Sequence, residues 1–142
     1  MKIKLITKTA HIPTRGTALA GGFDLYADID GPLNLYPGRI VQVNTGVAME
    51  IPEGHVGLIM PRSGLGTKHG IFIANTVPVI DADYRGEILV FLSVRGPEPY
   101  TINPGDRFAQ MLITPVFTPQ LEVVDELSET ARGTGGWGST GT

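Results

Sequence analysis

Glycine and proline interrupt this chain about every ten residues, a spacing that limits what it can fold into. The breaks fall at Pro13, Pro37-Gly38, Pro52 and Gly54, Gly96-Pro97, Pro104-Gly105, Pro115 and Pro119. Between them lie short β-branched and aromatic runs. IVQV alternates with Val41 and Val43 on one side, HVGLIM ends at Pro61, EILVFLSV is almost continuously apolar, and RFAQMLITPVF is the longest. Short apolar runs bounded by turn residues read as strands, so the chain is expected to form an all-β sandwich or barrel. No window sustains three turns of amphipathic helix. One short helix is expected at SGLGTKHG, where Ser63 can cap a turn or two around Leu65 before Gly70 ends it.

The 142 residues suffice for one domain with a single core. No repeat or linker divides them before the composition changes near Ser128. EILVFLSV is apolar at both parities, so both faces of that strand must be covered. A subunit interface on one face is expected; a central interior strand is the alternative. Eleven Lys and Arg against fourteen Asp and Glu give a formal net charge of −3, which argues against nonspecific association with nucleic acid or an anionic membrane. A small anionic ligand is still compatible, because local clusters make such sites. The absence of cysteine excludes disulfides, thiolate metal sites and cysteine nucleophiles. The opening MKIKLITKTAHIP alternates and then turns, without an apolar stretch of signal-peptide length, and no later run approaches a membrane span. A soluble, cytoplasmic protein is expected.

Three stretches place polar residues where they are costly. In LAGGFDLYA, Asp24 sits between Phe23 and Leu25, near the core edge, and needs a partner, water or a cation; a structural turn is the alternative. PRSGLG groups a guanidinium, the Ser63 hydroxyl and glycine amides at a strand end, a set that can cradle phosphate; a helix cap beside a surface arginine explains it more cheaply. In NTVPVIDADYRGE, an extended backbone would put Asp81 and Asp83 on one side and Tyr84 on the other. That aromatic, with Asn75 upstream, suits a nucleobase or sugar; a decorated hairpin turn is the alternative. Gln110 interrupts RFAQMLI in phase with Phe108 and Leu112, and a buried amide needs a partner.

The C-terminal ARGTGGWGSTGT holds five glycines and the single tryptophan, Trp137. Read alone it is either a frayed terminus or a flap that orders over a ligand. Arg62, Arg107 and Arg132 suit several phosphates, Asp24 and Asp81 suit a hydrated Mg2+ or an activated water, and Tyr84 and Trp137 suit a nucleoside. Neither GxxxxGK[ST] nor a GxGxxG after a strand is present. The residues by themselves therefore indicate a nucleoside triphosphate on a β scaffold.

Five segments carry a resemblance. AGGFDLYA (Ala20 to Ala27), PRSGLG (Pro61 to Gly66), NTVPVIDADYRGEI (Asn75 to Ile88), GDRFAQMLI (Gly105 to Ile113) and RGTGGWGSTG (Arg132 to Gly141) resemble, in order, the five motifs of the trimeric dUTPase family. The resemblance implies a distorted jelly-roll-like β-barrel over residues 1–128, a homotrimer with shared active sites, and a mobile glycine-rich flap over residues 129–142. It also implies hydrolysis of dUTP to dUMP and pyrophosphate, by in-line attack of water on the α-phosphorus with Mg2+ on the triphosphate.

Residue by residue, Asp81 matches the catalytic carboxylate, a general base, and Tyr84 the aromatic packed against deoxyribose. Asn75 and Val79 belong to the hairpin that receives uracil. Arg62, Ser63, Gly64 and Gln110 match phosphate-contacting positions of a neighbouring subunit, and Arg107 is a substrate-binding candidate as a donor suited to phosphate. Asp24 matches the carboxylate that helps hold hydrated Mg2+ through a coordinated water. Arg132, Gly136, Trp137, Gly138 and Ser139 lie in the flap, with Arg132 on the phosphates and Trp137 over uracil. Two positions depart from the pattern: Trp137 replaces the commoner phenylalanine, and Pro78 replaces a glycine, removing an amide donor from the hairpin. The alternatives to dUTP hydrolysis are a dCTP deaminase of the same fold and a regulatory protein that uses a dUTPase body to bind a host partner.

Overall fold

The structure is a computed structural model and describes residues 1–136. Trp137, Gly138 and Ser139 lie outside the described residues. Eleven strands and one short helix follow the punctuation of the sequence: β1 (Lys2–Leu5), β2 (Gly22–Tyr26), β3 (Leu33–Leu35), β4 (Val41–Asn44), β5 (Val47–Glu50), β6 (His55–Pro61), α1 (Ser63–His69), β7 (Ile71–Ile73), β8 (Val79–Ile80), β9 (Leu89–Val94), β10 (Tyr100–Ile102) and β11 (Arg107–Pro115). All named strand pairs are antiparallel. They form an all-β sandwich from a four-stranded sheet β2-β11-β6-β8, a three-stranded sheet β4-β9-β7, and the two-stranded pairs β1-β5 and β3-β10. Among the described residues no helix is long and apolar enough to cross a membrane.

Alternation builds the core. Leu25 from β2, Ile59 from β6 and Met111 from β11 face Val43, Val90 and Leu92 from the other sheet, and all are fully buried. Each such side chain contributes about 1.5–3 kcal/mol of hydrophobic stabilisation. In β9, Val90, Leu92 and Val94 point inward, while Phe91 on the opposite face is 38% exposed. The strand is thus central in its sheet and also presents an apolar outer face, as its double parity requires.

One departure from strict alternation matters for the site. Arg107 pairs with Tyr26 but Ala109 with Leu25, so Phe108 is the extra residue of a β-bulge. The bulge lets Phe108 and Ala109 both turn into the core while Arg107 stays on the side of Asp24 and Gln110. Gln110 is therefore out of phase with Phe108, contrary to the alternating reading of RFAQMLI. At the helix, Arg62 rather than Ser63 occupies the cap position, with no side-chain cap bond, and Gly70 ends the helix at φ 67° as anticipated. Ser63 is the first helical residue, and its carbonyl accepts from the Thr67 hydroxyl.

Candidate active site

Two separate groups of polar residues stand out. The first lies where β2, β11 and β6 run side by side. Asp24 and Gln110 are directly opposed across β2 and β11, and Gln110 is opposed to Met60 across β6. The Asp24 side chain is only 13% exposed, and its two oxygens are each taken by an arginine: Oδ1 by Arg62 Nε and Oδ2 by Arg107 Nη1, both at 3.1 Å. Arg62 Nη1 also donates to the Arg107 carbonyl at 2.9 Å. A carboxylate this buried needs such partners, and the pairing fixes both guanidinium groups beside one another. Gln110 Nε2 donates to the Pro61 carbonyl at 3.1 Å. A Cβ at Gly22 would lie 2.8 Å from Gln110 Oε1, so the glycine before Phe23 gives the amide its room. Arg62 and Arg107 line a polar hollow of about 230 Å³.

The second group surrounds the short edge strand β8. A cavity of about 290 Å³ is lined by Asn75, Pro78, Val79, Asp81, Tyr84 and Phe91, among others. The segment leading into β8 carries a strained point: Thr76, a β-branched residue, holds φ at 65°. Asp81 to Tyr84 is a turn closed by Tyr84 N donating to the Asp81 carbonyl at 3.1 Å. The extended reading that put Asp81 and Asp83 on one side does not apply, because aspartate at the first position favours a turn here. The larger hollow of about 510 Å³ between β1 and the Ala82–Arg85 turn contains neither Asp81 nor Tyr84.

Pro78 leaves the free edge of β8 intact. Its carbonyl accepts from Ile59 N at 3.0 Å. In an antiparallel ladder the N–H and C=O of one residue face the same neighbour, so the donor that proline lacks would have faced β6. Leu58 and Val79 form the next, non-hydrogen-bonded pair. The N–H and C=O of Val79 therefore point away from β6 to the free edge, one donor and one acceptor on the cavity side.

The β6–β8 register sets the two groups apart. Ile80 lies opposite Gly57, whereas Arg62 follows the far end of β6. The strand from Gly57 to Arg62 spans roughly 16 Å. One chain therefore holds the Asp81 carboxylate far from its own arginine pair. Arg132 belongs to neither group: its Nε donates to Gly135 O at 3.0 Å within a local turn, and Gly136 is exposed beside it. Ser63 and Gly64 are exposed at the start of α1.

Among the described residues no group of three or more His, Asp or Glu could hold a metal ion. With both its oxygens on arginines, Asp24 fits a cation only as an outer partner, through water on an ion carried by phosphates. Direct coordination does not fit.

The sequence reading missed three supports of this site. Glu87 Oε1 accepts from Gly46 N at 2.8 Å and Glu87 Oε2 from Asn44 Nδ2 at 3.3 Å, tying the Asp81–Glu87 segment to the β4–β5 turn. Arg85 Nη1 closes on the carbonyls of Ala82 and Tyr84 at 2.7 and 2.9 Å. Gly46 cannot carry a side chain, since at φ 65° its Cβ would stand 2.2 Å from Asp28 Oδ2. These contacts join distant segments, and the single glycine of the β4–β5 turn, Gly46, is the one local signal of them.

Fold and site together define an all-β sandwich protein that sets an arginine pair on a nearly buried aspartate apart from a carboxylate–aromatic hairpin. The dUTPase family model matches residues 8–141, and the chain belongs to that family and is a hydrolase of its type. It is 48% identical over 135 residues to the deoxyuridine 5'-triphosphate nucleotidohydrolase of Desulfitobacterium hafniense (strain DSM 10664 / DCB-2), covering 94% of this chain and 89% of the relative. It is also 48% identical to the protein of that name from Anaplasma marginale (strain St. Maries), covering 100% of this chain and 99% of the relative. Among solved structures, the Staphylococcus bacteriophage 80alpha dUTPase with dUPNHPP superposes with a TM-score of 0.88 at 30% identity, over 99% of this chain and 98% of that one.

Proposed function

We propose that this protein hydrolyses dUTP to dUMP and pyrophosphate, in sites assembled between copies of the chain in a homotrimer. The observation that carries this reading is the separation of the Asp81 hairpin from the arginine pair by most of the length of β6. A carboxylate must stand within about one water of the phosphorus it serves, so the hairpin of one copy and the arginines of another complete one site. Two further features support assembly. Leu121 and Val123 are 94% and 100% exposed on a segment with no strand of its own, and Phe91 leaves an apolar patch on the outer face of β9.

In this reading the edge N–H and C=O of Val79, with Asn75, receive uracil, and Tyr84 walls the deoxyribose. The triphosphate meets the remaining N–H groups of Arg62 and Arg107, which Asp24 holds in place from behind; planar, always-charged guanidinium groups match phosphate oxygens. Gln110, Ser63 and Gly64 complete the phosphate contacts. Asp81 orients a water and takes its proton as the oxygen attacks the α-phosphorus in line, and pyrophosphate departs. Mg2+ bound to the triphosphate supplies charge neutralisation, with Asp24 as its outer partner through water. Arg132 and the residues around Trp137 close over the bound nucleotide and keep bulk water out.

The test is product analysis with purified protein. The expected outcome is dUMP and pyrophosphate from dUTP, no ammonia from dCTP, and kcat/KM for dUTP at least about 10²-fold above that for UTP. Ammonia from dCTP, or hydrolysis of dUTP no faster than that of UTP, would replace this reading with a deaminase or an unspecific phosphohydrolase.

A further inference from the structure

Tyr84 is held in an unusual way. Its hydroxyl donates to the carbonyl of Glu87 at 2.9 Å, three residues on in the same segment. For that bond to form, the ring must lie across the backbone of residue 86. A Cβ built on Gly86 would stand 2.4 Å from Tyr84 Oη, 2.6 Å from Cζ and 3.0 Å from Cε2. Gly86 is exposed and its φ is not positive, so neither core packing nor backbone conformation demands glycine there. The space it leaves is occupied by the tyrosine ring.

The acceptor of this bond is itself fixed. The Glu87 carboxylate is anchored to Gly46 N and Asn44, and the next residue, Ile88, is buried with its N–H on the Val47 carbonyl at 2.9 Å. Arg85 closes the preceding turn. The tyrosine hydroxyl is thus fastened to a rigid part of the sandwich rather than offered to a ligand.

We propose that Gly86 is a specificity-determining position, the seat that sets how far the Tyr84 ring stands from the sugar. The inference rests on the reading of Tyr84 as the deoxyribose wall. A single methyl at residue 86 would force the hydroxyl end of the ring back by about 1 Å to reach ordinary contact. The bond to Glu87 would break, and the ring would become free to swing. Excluding a ribose hydroxyl depends on a wall that does not yield; binding deoxyribose needs only an apolar surface. Discrimination should therefore suffer more than turnover.

The experiment compares kcat/KM for dUTP and UTP in wild type, Gly86→Ala, Tyr84→Phe and Tyr84→Ala, with thermal melts of each. Gly86→Ala is expected to lower the dUTP-to-UTP ratio about tenfold, mainly through improved use of UTP, with an unchanged melt. Tyr84→Phe removes the fastening without crowding and should shift the ratio the same way by a smaller factor. A Gly86→Ala ratio within about twofold of wild type, beside a Tyr84→Ala variant that has lost discrimination, overturns the role of Gly86 while sparing that of Tyr84. Equal falls in both substrates show a merely structural glycine and also overturn it. If Tyr84→Ala keeps full discrimination, the sugar-wall reading fails and this inference fails with it.

Discussion

Asp81→Asn is expected to lower kcat by about 10²- to 10⁴-fold while leaving nucleotide affinity within a few-fold of wild type. The amide is nearly isosteric with the carboxylate, so the turn closed by Tyr84 N on the Asp81 carbonyl should persist, because that bond uses only backbone. What is lost is the ability to accept the proton of an attacking water. Single-turnover rates with dUTP and separate titration with dUPNHPP measure the two quantities. A kcat within about threefold of wild type removes Asp81 from the role of base.

The second large effect is expected at the other end of the chain. Ending the chain at Glu129 should reduce kcat/KM for dUTP by roughly 10²-fold or more, since the proposed function gives the removed residues both a charge-stabilising donor and the exclusion of water. The fold should survive. The last strand ends at Pro115, and none of the described residues from Pro115 onward is buried. Melting curves and assembly state should therefore match those of the full chain. A truncated protein with undiminished kcat/KM would show that Arg132 and the residues after it take no part.

Much of the fold could be read from local chemistry. Gly and Pro spacing marked the strands, and the continuous apolar run of β9 marked a central strand that is apolar on both faces, its outer one exposed at Phe91. Local patterning failed where one residue changes the phase: the extra Phe108 of the bulge in β11 turned Arg107 toward Asp24 and separated Gln110 from the core parity. It failed again at Asp81–Tyr84, where a turn replaced the extended backbone that would have aligned Asp81 with Asp83.

The site was legible as residue types but not as geometry. Asp24 was expected to need a partner, yet that it takes two, Arg62 and Arg107, depends on three strands meeting side by side. Pro78 reads in the sequence as a lost amide donor in the hairpin, and only the ladder shows that this donor would have faced β6. The distance between Asp81 and Arg62 follows from a two-residue register between β6 and β8, which periodicity does not encode.

That distance gives the most direct test. Asp81→Asn and Arg62→Ala copies, each inactive alone, would be co-expressed and the mixed assemblies assayed for release of pyrophosphate from dUTP. If the hairpin of one copy serves the arginine pair of another, random mixing restores roughly a quarter of wild-type activity, because some sites receive only intact halves. If each chain builds its whole site alone, no mixture contains an intact site, and activity stays at the level of the separate variants.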